Sequence, residues 1–215
     1  MIDKIKAQII EFGCSLLDSG LIAGTWGNLS ARIPNTSFIA ITPSGMNYRL
    51  LKKEDIPVVD LNGVIKEGEK KPSSELEMHL AIYRKRKDIQ AIIHTHSIYA
   101  TACAVAHQPI PPIVEDLVAL SGGQVNVAEY AICGSKQLAI NVVKALEQNY
   151  AVLLANHGAV GCGSNLNEAK IACDLIEKTA KIYLSACQLP GGAKEIAADD
   201  VKTMHDFYLN HYRQK

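Results

Sequence analysis

The sequence has no excess of charge. Its 22 Lys plus Arg balance its 22 Asp plus Glu, leaving a formal net charge of zero over 215 residues. Nucleic acid and anionic membrane surfaces are poor partners for such a chain, because both reward a basic surplus. Long apolar runs are also missing, and none approaches the roughly 18 residues of a membrane-spanning helix. The first residues, MIDKIKAQIIEFG, scatter charges among the apolar positions and contain no signal-peptide core. The six cysteines, Cys14, Cys103, Cys133, Cys162, Cys173 and Cys187, include no CxxC pair. A chain of this length has core enough to do without disulfide staples, so reduced thiols and a cytoplasmic location are expected. With 48% hydrophobic and only 20% charged residues, disorder is excluded as well.

Periodicity predicts mixed α and β structure in one domain spanning 1–215. Ile2, Ile5, Ile9, Phe12, Leu16 and Leu17 recur at helical steps, and Asp18-Ser19-Gly20 ends that helix. Short strands are expected at 38–42, 57–61 and 64–66, with Asn62-Gly63 as a hairpin turn between the last two. A helix opens at Pro72-Ser73-Ser74 and runs to about Lys87, where Arg84 to Lys87 read as a solvated basic end. A buried strand at 89–96 leads to a helix ending near His107, in which His107, like His79 earlier, reads as an ordinary helix residue. Pro109, Pro111 and Pro112 enforce a loop. A strand at 125–127, a helix at 135–147, a buried strand at 151–155, a turn-rich stretch at 158–163 and helices at 166–187 and beyond Ala197 follow, the last two separated by Pro190-Gly191-Gly192. This mixture predicts a sheet covered by helices.

The residues that carry chemistry lie at the ends of the buried strands. His94 and His96, in Ile-Ile-His-Thr-His, stand at strand spacing, so both imidazoles project from one face and can converge on a metal. His157 ends a second apolar strand, next to Gly158. Glu75 follows Ser73 and Ser74 at a predicted helix start, where free backbone N–H groups suit an anion, and Ser74 with Glu77 has capping-box spacing. The loops Gly24-Thr25-Trp26-Gly27-Asn28 and Thr42-Pro43-Ser44-Gly45 combine glycine with hydroxyl and amide donors, as anion-binding loops and ordinary turns both do.

In order along the chain, GTWGN, TPSG, PSSE, HTH and NHG resemble the motif series of the class II aldolase/adducin family, within which the branch acting on ketose 1-phosphates is most similar. The resemblance implies a three-layer α/β/α sandwich with a largely antiparallel central sheet. It implies one Zn²⁺ per subunit held by His94, His96, His157 and Glu75, with Glu75 also the acid/base, and phosphate binding by Gly27, Asn28, Ser44, Gly45, Ser73 and Ser74. The implied reaction splits a ketose 1-phosphate such as L-fuculose 1-phosphate into dihydroxyacetone phosphate and an aldehyde through a metal-stabilised enediolate. A homotetramer with active sites between subunits is implied too. Where family members carry a tyrosine in the loop after the prolines, this chain has Asp116 beside Glu115, either of which could substitute. Tyr212, or else Tyr208, is the candidate for a C-terminal tyrosine reaching a neighbouring site. Three other readings share the scaffold: L-ribulose-5-phosphate 4-epimerase chemistry, a decarboxylase, and a non-catalytic adducin-like interaction domain.

Overall fold

The computed structural model describes residues 1–212. Its strands are β1 (Asn28–Arg32), β2 (Phe38–Ile41), β3 (Val58–Asp60), β4 (Ile65–Glu67), β5 (Ala91–Thr95), β6 (Val127–Ala128), β7 (Ala151–Leu154) and β8 (Gly158–Gly163). Its helices are α1 (Ile2–Asp18), α2 (Leu76–Lys85), α3 (Ile98–Val105), α4 (Glu115–Ser121), α5 (Lys136–Leu146), α6 (Leu166–Ala186) and α7 (Ala198–Phe207), and a π-helical turn over Tyr208–Tyr212 follows α7.

The eight strands form one sheet in the order β4-β3-β2-β1-β5-β8-β7-β6. Every pairing is antiparallel except β6 with β7. Alternation along the central strands divides the core between the two faces. Ile92 and Val160 pack with Met78, Ile82 and Tyr83 of α2 and with Leu138 and Val142 of α5. Ala91 and Ile93 turn the other way, onto Ile9 and Leu16 of α1 and Ala169 and Cys173 of α6. Helix, sheet and helix thus make the expected three layers. Burial of this kind contributes about 1.5–3 kcal/mol for each large aliphatic side chain.

Several local expectations need correction. Residues 28–32 form a central strand, where the sequence pattern places only Asn28, at the end of a loop, and predicts no strand. The stretch from Gly158 is not turn-rich but a fully buried strand, whose glycines admit close neighbours: a Cβ on Gly161 would lie 2.7 Å from Cys173 Sγ. Residues 115–121 are helical rather than loop. Helix α2 starts at Leu76 with Glu75 as its N-cap, and no capping box forms between Ser74 and Glu77; Glu77 pairs with Arg84 instead. Arg86 is not solvated. It is buried, and its guanidinium donates to both Asp88 carboxylate oxygens and to the carbonyls of Glu147 and Asn149.

Candidate active site

Side-chain parity on β5 places His94 on the same face as Ile92, turned toward α2. His94 is fully buried, and its Nδ1–H donates to the Ala159 carbonyl of β8 at 3.0 Å. That bond fixes the tautomer and leaves the Nε2 lone pair facing the end of the sheet. His96 follows just beyond the strand, its backbone N–H held by the Leu21 carbonyl. His157 comes from the β7–β8 turn, where Asn156 takes a left-handed conformation with φ 55°.

The three rings surround one point. Their centroids are 4.7, 4.7 and 5.0 Å apart, and their planes cross at 68, 69 and 73°. His94 Nε2 lies 2.8 Å from His96 Nε2 and 3.0 Å from Glu75 Oε2, while His157 Nε2 is 3.6 Å from Glu75 Oε1. Glu75 is only 3% exposed, and its Oε1 has no hydrogen-bond partner. Burial holds the His94 ring down to about 4, against the pull of Glu75, and lowers His96 too. Burial on its own would raise the Glu75 carboxyl, but His94, His157, the Asn28 amide and His79 outweigh it and hold the group below the usual carboxylate range. Three imidazole nitrogens converging beside a buried carboxylate oxygen that accepts no hydrogen bond are the donor set of a divalent metal. Three N donors with one carboxylate fit zinc.

This cluster lies at one wall of a cavity of about 270 Å³ that is also lined by Gly27, Asn28, Ser44, Gly45, Ser73 and Ser74. The N–H of Ser73 is taken by the Thr42 carbonyl and that of Ser44 by the Lys71 carbonyl. At these two positions the hydroxyls, not the amides, are the donors available to an anion. The Ser73 Oγ accepts from Glu75 N at 3.3 Å and keeps its own hydrogen to give. Gly27 is required by its backbone: its φ is 105°, and a Cβ would meet the His94 carbonyl oxygen at 2.9 Å.

The profile of the class II aldolase and adducin N-terminal domain family matches residues 7–184. The chain belongs to that family. A 5-deoxy-D-ribulose 1-phosphate aldolase of Bacillus thuringiensis serovar kurstaki is 39% identical to it over 204 residues, covering 95% of each chain. The L-fuculose phosphate aldolase of Escherichia coli K12 is 33% identical over 199 residues, covering 93% of this chain and 91% of its own. Among solved structures, an L-fuculose 1-phosphate aldolase with 41% identity superposes with a TM-score of 0.92 over 96% of both chains.

Within this class II aldolase fold, Asp116 and Tyr212 stand apart from the histidines. Asp116, in the first turn of α4, pairs with Lys178 of α6. Tyr212 stacks on Tyr208 with ring centroids 5.8 Å apart. Both line a groove of about 990 Å³ that shares no lining residue with the histidine cavity. Two residues at the site were not singled out from the sequence. Cys133 presents a sulfur within 4.8 Å of Glu75 and His157 ligand atoms, and burial lifts its thiol to about 11. His79, read as an ordinary helix residue, is fully buried and bonds the Asn28 amide beside Glu75. Its position four residues after Glu75 was the available clue, since that spacing puts both on one helix face.

Proposed function

We propose that the protein is a zinc-dependent aldolase that cleaves a ketose 1-phosphate, such as L-fuculose 1-phosphate, into dihydroxyacetone phosphate and an aldehyde. It is an enzyme of the class II aldolase family, a lyase. One observation carries the reading. The unsatisfied Glu75 Oε1 and three histidine Nε2 atoms converge at a cavity whose other wall presents the hydroxyls of Ser44, Ser73 and Ser74.

His94, His96, His157 and Glu75 would hold the ion, which when bound supplies positive charge against the negative charge that develops on the substrate oxygens. The serines, with Gly27 and Gly45, hold the phosphate and so fix the common half of the substrate. Asn28 contributes less to that anion than its place in the motif implies, because its Oδ1 and one amide hydrogen are engaged by His79 and Glu75. In cleavage the C4 hydroxyl passes its proton to the Glu75 carboxylate and the C3–C4 bond breaks to release the aldehyde. The bonding pair stays with the dihydroxyacetone phosphate half, and Glu75 gives a proton to C3. Glu75 Oε1 suits that step, being buried, without a hydrogen bond and at the cavity wall.

The aldehyde pocket is completed, in this reading, by Asp116 and Tyr212 across a subunit boundary in a homotetramer. Their place in a groove that shares no lining residue with the histidine cavity supports a contribution to a neighbour rather than to their own site. The reading includes one domain over 1–215 and a cytoplasmic location; among the described residues no helix is long and apolar enough to cross a membrane.

The test is dihydroxyacetone phosphate release by zinc-loaded protein from fuculose, rhamnulose, ribulose and 5-deoxyribulose 1-phosphates. Release from any of them, abolished by a chelator and restored by zinc, is expected. No release from the whole panel would overturn the aldolase reading in favour of epimerase or decarboxylase chemistry.

A further inference from the structure

A second row of polar side chains is sealed behind the site. Glu75, His79 and Tyr83 recur at four-residue steps, so they lie along one face of α2. Asn28 and Ser30 recur at a two-residue step on β1 and share the sheet face turned toward them. The two rows interleave. Asn28 Nδ2 lies 2.9 Å from Glu75 Oε2, and Asn28 Oδ1 lies 2.6 Å from His79 Nε2. His79 Nδ1 lies 2.6 Å from Ser30 Oγ, which lies 2.9 Å from the Tyr83 hydroxyl. None of the five residues is more than 6% exposed.

Every hydrogen in this chain has a single direction. The Glu75 carboxylate only accepts, so the Asn28 amide presents nitrogen to it and oxygen to His79. Asn28 Oδ1 only accepts, so His79 carries its proton on Nε2. With its proton on Nε2, the neutral ring turns an Nδ1 lone pair toward Ser30, 2.6 Å away, and takes the hydroxyl hydrogen there. Ser30 Oγ, having donated, accepts from Tyr83.

We propose that His79, backed by Ser30 and Tyr83, is a positioning residue that fixes the flip of the Asn28 amide and thereby sets which Glu75 oxygen faces the cavity. With the imidazole N–H in place, turning the amide over would set Asn28 nitrogen against His79 and Asn28 oxygen against the carboxylate. Both contacts would be repulsive. Without the imidazole the first penalty vanishes and Asn28 Oδ1 loses its donor, so the amide is held from the carboxylate side alone and Glu75 Oε2 is less firmly kept while Oε1 stays free. The chain therefore orders the carboxylate in the absence of any substrate. The catalytic consequence rests on the reading of Glu75 as the acid/base, whereas the hydrogen-bond direction does not.

The test has two arms. In protein labelled with ¹⁵N at the imidazoles, long-range proton–nitrogen spectra report the His79 tautomer, with His79→Gln used to assign the signal. A neutral ring protonated at Nε2 is expected in metal-free and zinc-loaded protein alike. A proton on Nδ1, or an imidazolium at neutral pH, would overturn the proposal. In the second arm, His79→Leu should lower kcat about 10- to 100-fold, the usual effect of losing such an outer partner, with KM within about twofold and zinc content unchanged. His79→Gln should recover most of the loss, because one amide supplies both the donor for Asn28 and the acceptor for Ser30. Wild-type kcat in His79→Leu, or a His79→Gln variant no better than it, would refute the positioning role. If His79→Leu does not fold, the tautomer decides. A protein that cleaves no sugar phosphate loses the aldolase reading but leaves the tautomer measurement intact.

Discussion

Gly158 is the position where a single methyl group should do the most damage to the histidine cluster. It opens β8 directly behind the rings, and its backbone angles lie outside the left-handed region, so alanine meets only a steric obstacle there. A Cβ at this position would stand 2.2 Å from the Thr95 carbonyl oxygen, 3.1 Å from His96 Cδ2 and 3.3 Å from His94 Cε1. Ordinary contact begins near 3.4 Å, so the Thr95 carbonyl would have to retreat by about 1 Å. That carbonyl belongs to the β5–β8 ladder that also positions His94, and it cannot swing aside as a flexible side chain could. Overpacking costs about 1–3 kcal/mol, and a backbone obstacle puts Gly158→Ala at the upper end, about 2–3 kcal/mol. A ligand displaced by about 1 Å also costs on the order of 100-fold in turnover. Urea unfolding of the metal-free protein reads the first effect, and zinc competition against a chelator reads the displaced ligands, with about 10- to 100-fold weaker binding expected. Gly191, with nothing within 4 Å of its Cβ position and no left-handed φ, is the control, and Gly191→Ala should shift stability by less than about 0.5 kcal/mol. Unchanged stability and zinc affinity in Gly158→Ala would refute the claim that this glycine sets the spacing of the rings.

Arg86→Met keeps the aliphatic stem but strips the carbonyls of Glu147 and Asn149 of their donor, and should cost about 2–4 kcal/mol in urea unfolding; a loss under about 1 kcal/mol would mean water replaces the guanidinium. Asp88 is held down to about 2, chiefly by its Arg86 hydrogen bond and with help from the Tyr150 hydroxyl. Its folded value lies below its unfolded one, so its contribution is complete above about pH 4 and fades as pH falls toward 2. The side chain is 44% exposed, so solvent screening keeps that contribution under about 1 kcal/mol. Asp88→Asn should flatten the acid limb of stability within that window, and an unchanged limb would remove the pair from the account. At the candidate site, Glu75→Gln should retain zinc but lose most turnover, whereas His94→Ala should lose zinc measurably by metal analysis. Near-normal turnover in the first or full metal content in the second would break the assigned roles.

How far the sequence could be read depended on whether a residue's surroundings follow from its own segment. His94 and His96 were legible because strand spacing alone aims both rings the same way, and His157 because it too ends an apolar run. A helix-covered sheet was legible from the alternation of helical and strand periods, and its three layers from the family resemblance. β8 was misread because its three glycines, Gly158, Gly161 and Gly163, look like turn residues, whereas Thr95, Cys173 and Ala169 crowd each position so closely that a Cβ would not fit. Nothing local reveals that crowding, since the neighbours come from β5 and α6. Arg86 was misread for a related reason. A run of four basic residues looks solvated, and only the return of Glu147 and Asn149 to the same corner shows that one of the four is buried.

β1 exposes a more general weakness in pattern reading. Its alternation of Asn28 and Ser30 with Leu29 and Ala31 is that of a strand with one face in water, yet all four side chains are buried. The polar face meets Glu75, His79 and Tyr83, whose own four-residue spacing is that of a helix stripe. Each row alone looks like a solvated surface, and only together do they form a satisfied interior. Burying such polar groups is tolerable when donors and acceptors are matched, as they are from Tyr83 through Ser30, His79 and Asn28 to Glu75 Oε2, with Glu75 Oε1 alone left over at the cavity. An apolar interface would have been a simpler way to join α2 to β1. A polar one also specifies which way an amide points and therefore which oxygen of Glu75 is left free.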